Sequence, residues 1–142
     1  MSPVNVLVVE DNPADQRLIA EAFRRYNGSA TIYVVGDGSA ALDFLHRRDK
    51  YANAAVPSLI ILDLNLPKKS GLEVLKELKQ NPKLKSIPVV IFSTTSIEED
   101  MKHCYESHAN AFVTKPSELD AFHSAIKSIQ DFWIRTAQLP KQ

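Results

Sequence analysis

The sequence predicts an α/β fold: a five-stranded parallel sheet that alternates with helices, a doubly wound (βα)5 arrangement. Two observations carry that prediction. Five short runs rich in Val, Ile and Leu recur along the chain, separated by segments with helical spacing. The runs are continuously apolar rather than alternating, as in parallel strands covered on both faces. Alternation of strand and helix then places helices on both sides of one sheet.

The first run is Val4 to Glu10. Asn12 follows as a helix N-cap, with Pro13 at the first helical position and Asp15 in the first turn, where the helix dipole favours an anion. Leu18, Ile19, Ala22, Phe23 and Tyr26 keep helical spacing, and Asn27-Gly28 stops the helix. Thr31 to Val35 is the second strand. Gly36-Asp37-Gly38 turns the chain, and Ser39 starts a helix carrying Leu42 and Leu45. The polar stretch "HRRDKYANAAVP" is a rather long connection to the third strand, Leu59 to Asp63. A third helix covers Gly71 to Gln80, with Leu72, Leu75 and Leu78 on one side and Pro82 beyond its end. Ile87 to Ser93 is the fourth strand. Ser96-Ile97-Glu98-Glu99 has the form of a capping box for the fourth helix. Ala111 to Thr114 is a short fifth strand, and Ser117 caps a last helix reaching Arg135.

The bulk numbers narrow the function classes. A chain of 142 residues suits one domain with one sizeable core. Hydrophobic residues at 44% and charged residues at 24% describe a soluble globular protein. Lys plus Arg equals Asp plus Glu at 17 each, which argues against bulk attraction to nucleic acid or membrane. The single cysteine, Cys104, excludes an intrachain disulfide and fits a cytoplasmic location. The N-terminus has no signal-peptide pattern, and no apolar stretch reaches transmembrane length.

In open parallel sheets, ligands bind beyond the carboxyl ends of the strands. Strand one ends in Glu10-Asp11, strand three in Asp63, strand four in Ser93-Thr94 and strand five in Lys115 followed by Pro116. A carboxylate at the end of a buried strand loses hydration and needs a cation or donor. Three carboxylates in one crevice would repel and raise one another's pKa. Mg²⁺ resolves this, because it takes oxygen ligands, keeps several waters and binds through few carboxylates plus phosphate. The main-chain carbonyl of Asn65 could add an oxygen. Lys115 supplies a second positive charge and Ser93 a hydroxyl. The set suits phosphoryl transfer to Asp63 as nucleophile, a reaction that needs charge neutralisation and positioning above all.

The chain resembles the receiver domain of two-component response regulators over about Val4 to Ile129. The motifs are Glu10-Asp11, the acid in "LDLNLP" with Gly71 downstream, the hydroxyl in "IFST", and "TKP". The resemblance implies a flavodoxin-like sheet of order 2-1-3-4-5. It implies that Glu10, Asp11 and Asp63 bind Mg²⁺ and that a sensor histidine kinase donates its phosphoryl group to Asp63. It also implies a switch in which Ser93 moves towards the phosphate and an aromatic near strand five, here Phe112, changes rotamer. Receivers often carry Tyr or His there; Phe112 has no hydroxyl, so its inward state should rest on packing. Thr94 is bulkier than the usual Ala or Gly and should shield the phosphate. Such a protein is a phosphoacceptor that takes part in its own phosphorylation and dephosphorylation rather than an enzyme acting on other substrates.

Plainer readings stand beside these. Asp63 could be a turn residue and Lys115 a solvated lysine, although their company speaks against both. Asp15 reads as a first-turn acid rather than a metal ligand, Cys104 as an inert helix residue, and Arg47, Arg48, Lys50, Lys68 and Lys69 as solvated surface. His103 and His108 do not share a helix face, so they make no metal site. An aspartate-nucleophile phosphohydrolase would need a second acid where Asn65 stands. A flavin binder would need a phosphate loop where Glu10-Asp11 stands. A pseudo-receiver would not keep the full set.

The last helix carries Leu119, Phe122, Ile126, Ile129 and Trp133 at steps of 3 and 4, and the first four should pack on the sheet. From Ser117 to Arg135 it would run ~28 Å, against ~17 Å for a five-residue strand. Its end should overhang the sheet, with Phe132 off the stripe, and a homodimer through Phe132 and Trp133 would cover it; the alternative is that the end folds back onto its own domain. The sequence ends at "TAQLPKQ", which leaves no room for an output domain, so the expected readout is a change in protein contacts. The loop "HRRDKYANAAVP", "DLNLPKKSG" and the tail resemble stand-alone receivers paired with phytochrome-type kinases, which implies a light-sensing donor.

Overall fold

In the computed structural model, which describes residues 4–26 and 30–140, the five apolar runs become β1 (Val4–Val9), β2 (Ala30–Val35), β3 (Leu59–Leu62), β4 (Val89–Ser93) and β5 (Ala111–Thr114). The helices are α1 (Pro13–Tyr26), α2 (Gly38–Leu45), α3 (Gly71–Gln80), α4 (Glu98–Glu106) and α5 (Leu119–Gln130). All strand pairs are parallel, and the order is β2-β1-β3-β4-β5. Among the described residues no helix is long and apolar enough to cross a membrane.

Side chains alternate across a strand, and here both faces are buried. Leu7, Val9, Ile60, Leu62, Val89 and Ile91 point to the face covered by α2, α3 and α4. Val6, Val8, Leu59, Ile61, Val90 and Phe92 point to the face covered by α1 and α5. This explains why the runs lack polar alternation. On the second face Phe92 meets Phe122 edge-on at 5.2 Å.

Helix starts depart from expectation in instructive ways. Asn12 caps α1, its Oδ1 accepting from the Asp15 N–H at 3.0 Å. The Asn27-Gly28 stop signal lies outside the described residues. The second helix begins one residue before Ser39, because Asp37 caps it by accepting from the Ala40 N–H at 2.7 Å. The expected capping box at Ser96 does not form; α4 starts at Glu98 after Ile97, without a side-chain cap. Thr95 holds that entry instead, accepting from the Ile97 N–H and donating to Asp100 Oδ2 at 3.1 Å. Ser117 does not cap α5, which begins two residues later. The reciprocal box that does form is Ser70 with Glu73, at the start of α3.

The last helix also corrects the expected packing. Phe122, Ile126 and Ile129 are buried, but Leu119, at the first turn, is 54% exposed. Beyond Gln130 the chain widens into a π-helical turn over Asp131–Thr136. A π turn changes the angular step, so Trp133 and Ile134 rotate onto the core beneath α1 and α5. Phe132 remains 53% exposed, edge-on to Trp133 at 5.0 Å. The overhang therefore reduces to one exposed ring.

Replacing Ser70 with Ala should lower unfolding stability by about 1 kcal/mol, whereas Ser96→Ala and Ser117→Ala should stay within about 0.5 kcal/mol of wild type. Chemical denaturation of the three variants checks the assignment, and equal losses at all three would contradict it.

Candidate functional site

Strand register decides what meets at the carboxyl edge. Val9 pairs with Leu62, Leu62 with Ile91, and Ser93 with Thr114. The residues that follow, Glu10, Asp63 and Lys115, emerge side by side with Ser93. The Asp63 N–H donates to the Val9 carbonyl at 3.0 Å and the Lys115 N–H to the Ser93 carbonyl at 2.7 Å, so the ladder runs one step past the apolar runs. Behind Asp63 the chain turns tightly into α3. A Cβ on Gly71 would lie 2.0 Å from the Asp63 carbonyl oxygen, so only glycine fits.

One carboxylate oxygen from each of Glu10, Asp11 and Asp63 lies within 4.8 Å of the others, with Glu10 and Asp63 buried and Asp11 exposed. The Lys115 ammonium, with its side chain 4% exposed, donates to Glu10 Oε1, to Asp63 Oδ2 at 2.9 Å and to Asp15 Oδ2 at 3.0 Å. Its aliphatic stem brings the charge to 6.0 Å from the Phe92 ring centroid. Burial pulls the lysine pKa down, but the hydrogen bonds to Glu10, Asp63 and Asp15 outweigh it, and the pKa rises. Burial pushes the Glu10 carboxyl up to about 7, against the pull of Lys115 and of the Asn12 N–H. Three carboxylates thus share one ammonium, with Asp11 close by, and the excess negative charge invites a further cation.

The donor set fits a hard divalent cation. The three clustered acids offer only oxygen, and at least one of them faces solvent, so water ligands can remain. Bound there, such a cation would neutralise anionic oxygen and hold it beside Asp63. A second observation concerns Ser93. It is fully buried at the end of β4, and its Oγ has no hydrogen-bond partner among the described residues. A buried hydroxyl left unpaired costs about 1–3 kcal/mol, a penalty that an oxygen-bearing ligand in the crevice would relieve.

The other expected site residues are less central. Asn65 is exposed, and its N–H donates to Asp63 Oδ1 at 3.3 Å. Thr94 is exposed and lines a cavity of about 280 Å³ with Asp15, Lys115, Pro116 and Leu119. Phe112 is half-buried and packs against the α4-side core. Its N–H donates to the Tyr105 hydroxyl at 3.1 Å, a tether from α4 that the sequence reading missed. Phe132 and Trp133 lie far along the chain, in the π turn. Asp15 is the larger omission. It is a first-turn acid as expected, but its side chain turns into the crevice. Its place in the first turn of α1 is explained locally by the helix dipole, so the sequence held no separate signal for the contact with Lys115.

The family model for the response regulator receiver domain matches residues 6–127. The response regulator Rcp1 of a Synechocystis strain is 44% identical over 138 residues, 97% of this chain and 94% of that protein. The crystal structure of the Mn²⁺-bound form of Rcp1 superposes with a TM-score of 0.95 at 43% identity, covering 98% of this chain and 100% of that one. The phosphorylated cyanobacterial phytochrome response regulator RcpA superposes with a TM-score of 0.95 at 45% identity, covering 98% and 99%.

Because Glu10 must lose its proton to ligate a cation, affinity should be greatest above pH 7 and fall by about tenfold per unit below it. Calorimetric titration with MnCl2 or MgCl2 from pH 6 to 8 reads this directly; a flat profile would show that Glu10 is not a ligand.

Proposed function

The chain belongs to the response regulator receiver family, and on that premise we propose that Asp63 accepts a phosphoryl group from a sensor histidine kinase. The observation that carries this reading is the Lys115 ammonium, buried 2.9 Å from Asp63 Oδ2 beside a cluster of oxygen ligands. An Asp63 oxygen attacks phosphorus, the O–P bond forms and the P–N bond of phosphohistidine breaks. The imidazole nitrogen keeps the electron pair and takes up a proton. Glu10, Asp11 and Asp63, with the Asn65 carbonyl, would hold Mg²⁺, which would supply charge to offset that of the phosphoryl oxygens. Lys115 donates to one phosphoryl oxygen and the Ser93 hydroxyl to another. Thr94 screens the group from water. Loss of phosphate reverses occupancy: water attacks phosphorus, the acyl O–P bond breaks and the Asp63 carboxylate returns.

The switch runs along β4. Movement of Ser93 towards phosphate frees space beside Phe112, whose tether to Tyr105 couples it to α4. The single domain transmits this as altered protein contacts in the cytoplasm. Resemblance to the cyanobacterial phytochrome response regulator RcpA supports a light-sensing kinase as donor. The exposed Phe132 ring supports a homodimer through the end of α5.

Intact mass after incubation with acetyl phosphate should show a Mg²⁺-dependent gain of one phosphoryl group, absent in Asp63→Asn. Labelling that persists in that variant would refute the assignment. For the dimer, sedimentation should show wild type heavier than Phe132→Ala at the same concentration; a monomeric wild type, phosphorylated or not, removes this part of the reading.

A further inference from the structure

The Lys115 ammonium has three N–H donors, and all three are taken. Its acceptors come from three different elements: Glu10 after β1, Asp63 after β3 and Asp15 in the first turn of α1. They do not have equal standing. Glu10 and Asp63 belong to the oxygen cluster that can hold a cation, and Asp15 is not part of that cluster. Asp15 is also the most accessible of the three, its side chain 23% exposed against 2% and 7% for the other two. It lines the open cavity that reaches Lys115 from the α1 and α5 side.

Resting on the reading of Asp63 as phosphoacceptor, we infer that Asp15 is a positioning residue that competes with the phosphoryl group for Lys115. A cation held by the cluster would draw on the charge of Glu10. A phosphoryl oxygen on Asp63 must then claim an N–H of Lys115. Asp15 is the acceptor that loses nothing to the metal and stays on the lysine. Its charge also faces any dianionic donor entering by the cavity. Both effects hold back phosphorylation, so the crevice is tuned below its attainable rate. Removing the charge should raise the rate, an outcome that damage to the fold does not produce.

The test is the rate of phosphoryl gain by intact mass, with saturating Mg²⁺ and a range of acetyl phosphate concentrations. Wild type, Asp15→Asn, Asp15→Ala, Asp15→Glu and Asp63→Asn are compared, and Mg²⁺ affinity is measured for each. Removing one unit charge a few ångströms away at the solvent-facing rim of the crevice is expected to raise kcat/KM roughly fivefold in Asp15→Asn and Asp15→Ala. Asp15→Glu, which keeps the charge, should stay within about twofold of wild type. Unchanged or slower gain in both neutral variants would overturn the proposal. So would a marked loss of Mg²⁺ affinity in both neutral variants, since Asp15 would then be a ligand rather than a competitor for Lys115. If wild type itself gained no phosphate from acetyl phosphate or from phosphorylated kinase, the Asp63 reading would fall, and this one with it.

Discussion

A lone ammonium among carboxylates from β1, β3 and α1 is the constraint on which the rest of the crevice depends. Lys115 reaches its place only because β5 lies at the edge and runs parallel to β4, so that its carboxyl end arrives beside Ser93. The lysine reconciles acids that would otherwise drive one another apart, yet it is outnumbered. That shortfall of positive charge is what makes the crevice a cation site. Breaking such a buried network by removing one partner costs more than its net contribution would suggest, because the partners remain buried without a counter-charge. The carboxyl edge is therefore held in a state that favours an added cation, and that admits an anion only together with one.

Most of the fold could be read from the chain because both faces of the sheet are covered. Continuous apolar runs such as "LIIL" and "VVIFS" have no other stable home. What escaped was local chemistry at helix starts. Ser96 and Glu99 have the spacing of a capping box, but Thr95 captures the entry first by accepting from the Ile97 N–H. Ser70 and Glu73 have the same spacing and do form one. Spacing alone does not distinguish the two; the turn before each helix does. The π turn after Gln130 was equally hidden, since a helix-period pattern continues through it unchanged in sequence.

The site was legible where it follows directly from strand ends. Glu10, Asp11, Asp63, Ser93 and Lys115 each sit at the end of an apolar run, and a parallel sheet brings such ends together. Asp15 and Tyr105 were not legible, because both enter the region from helices, and a helical residue's direction depends on how the helix is rotated against the sheet. Asp15 carried a sufficient local explanation as a first-turn acid, which concealed its second partner 100 positions away in sequence.

Gly71 shows how closely chemistry and folding are joined here. Its bare α-carbon lies against the carbonyl of Asp63, and Gly38 stands in the same relation to the carbonyl of Lys69, in the same loop. Both glycines thus act on the loop behind the acid. A side chain at Gly71 would displace the backbone that carries Asp63 before it disturbed the apolar core. In a survey of inherited variants, Gly71 would be classed with the acids it never touches by side chain.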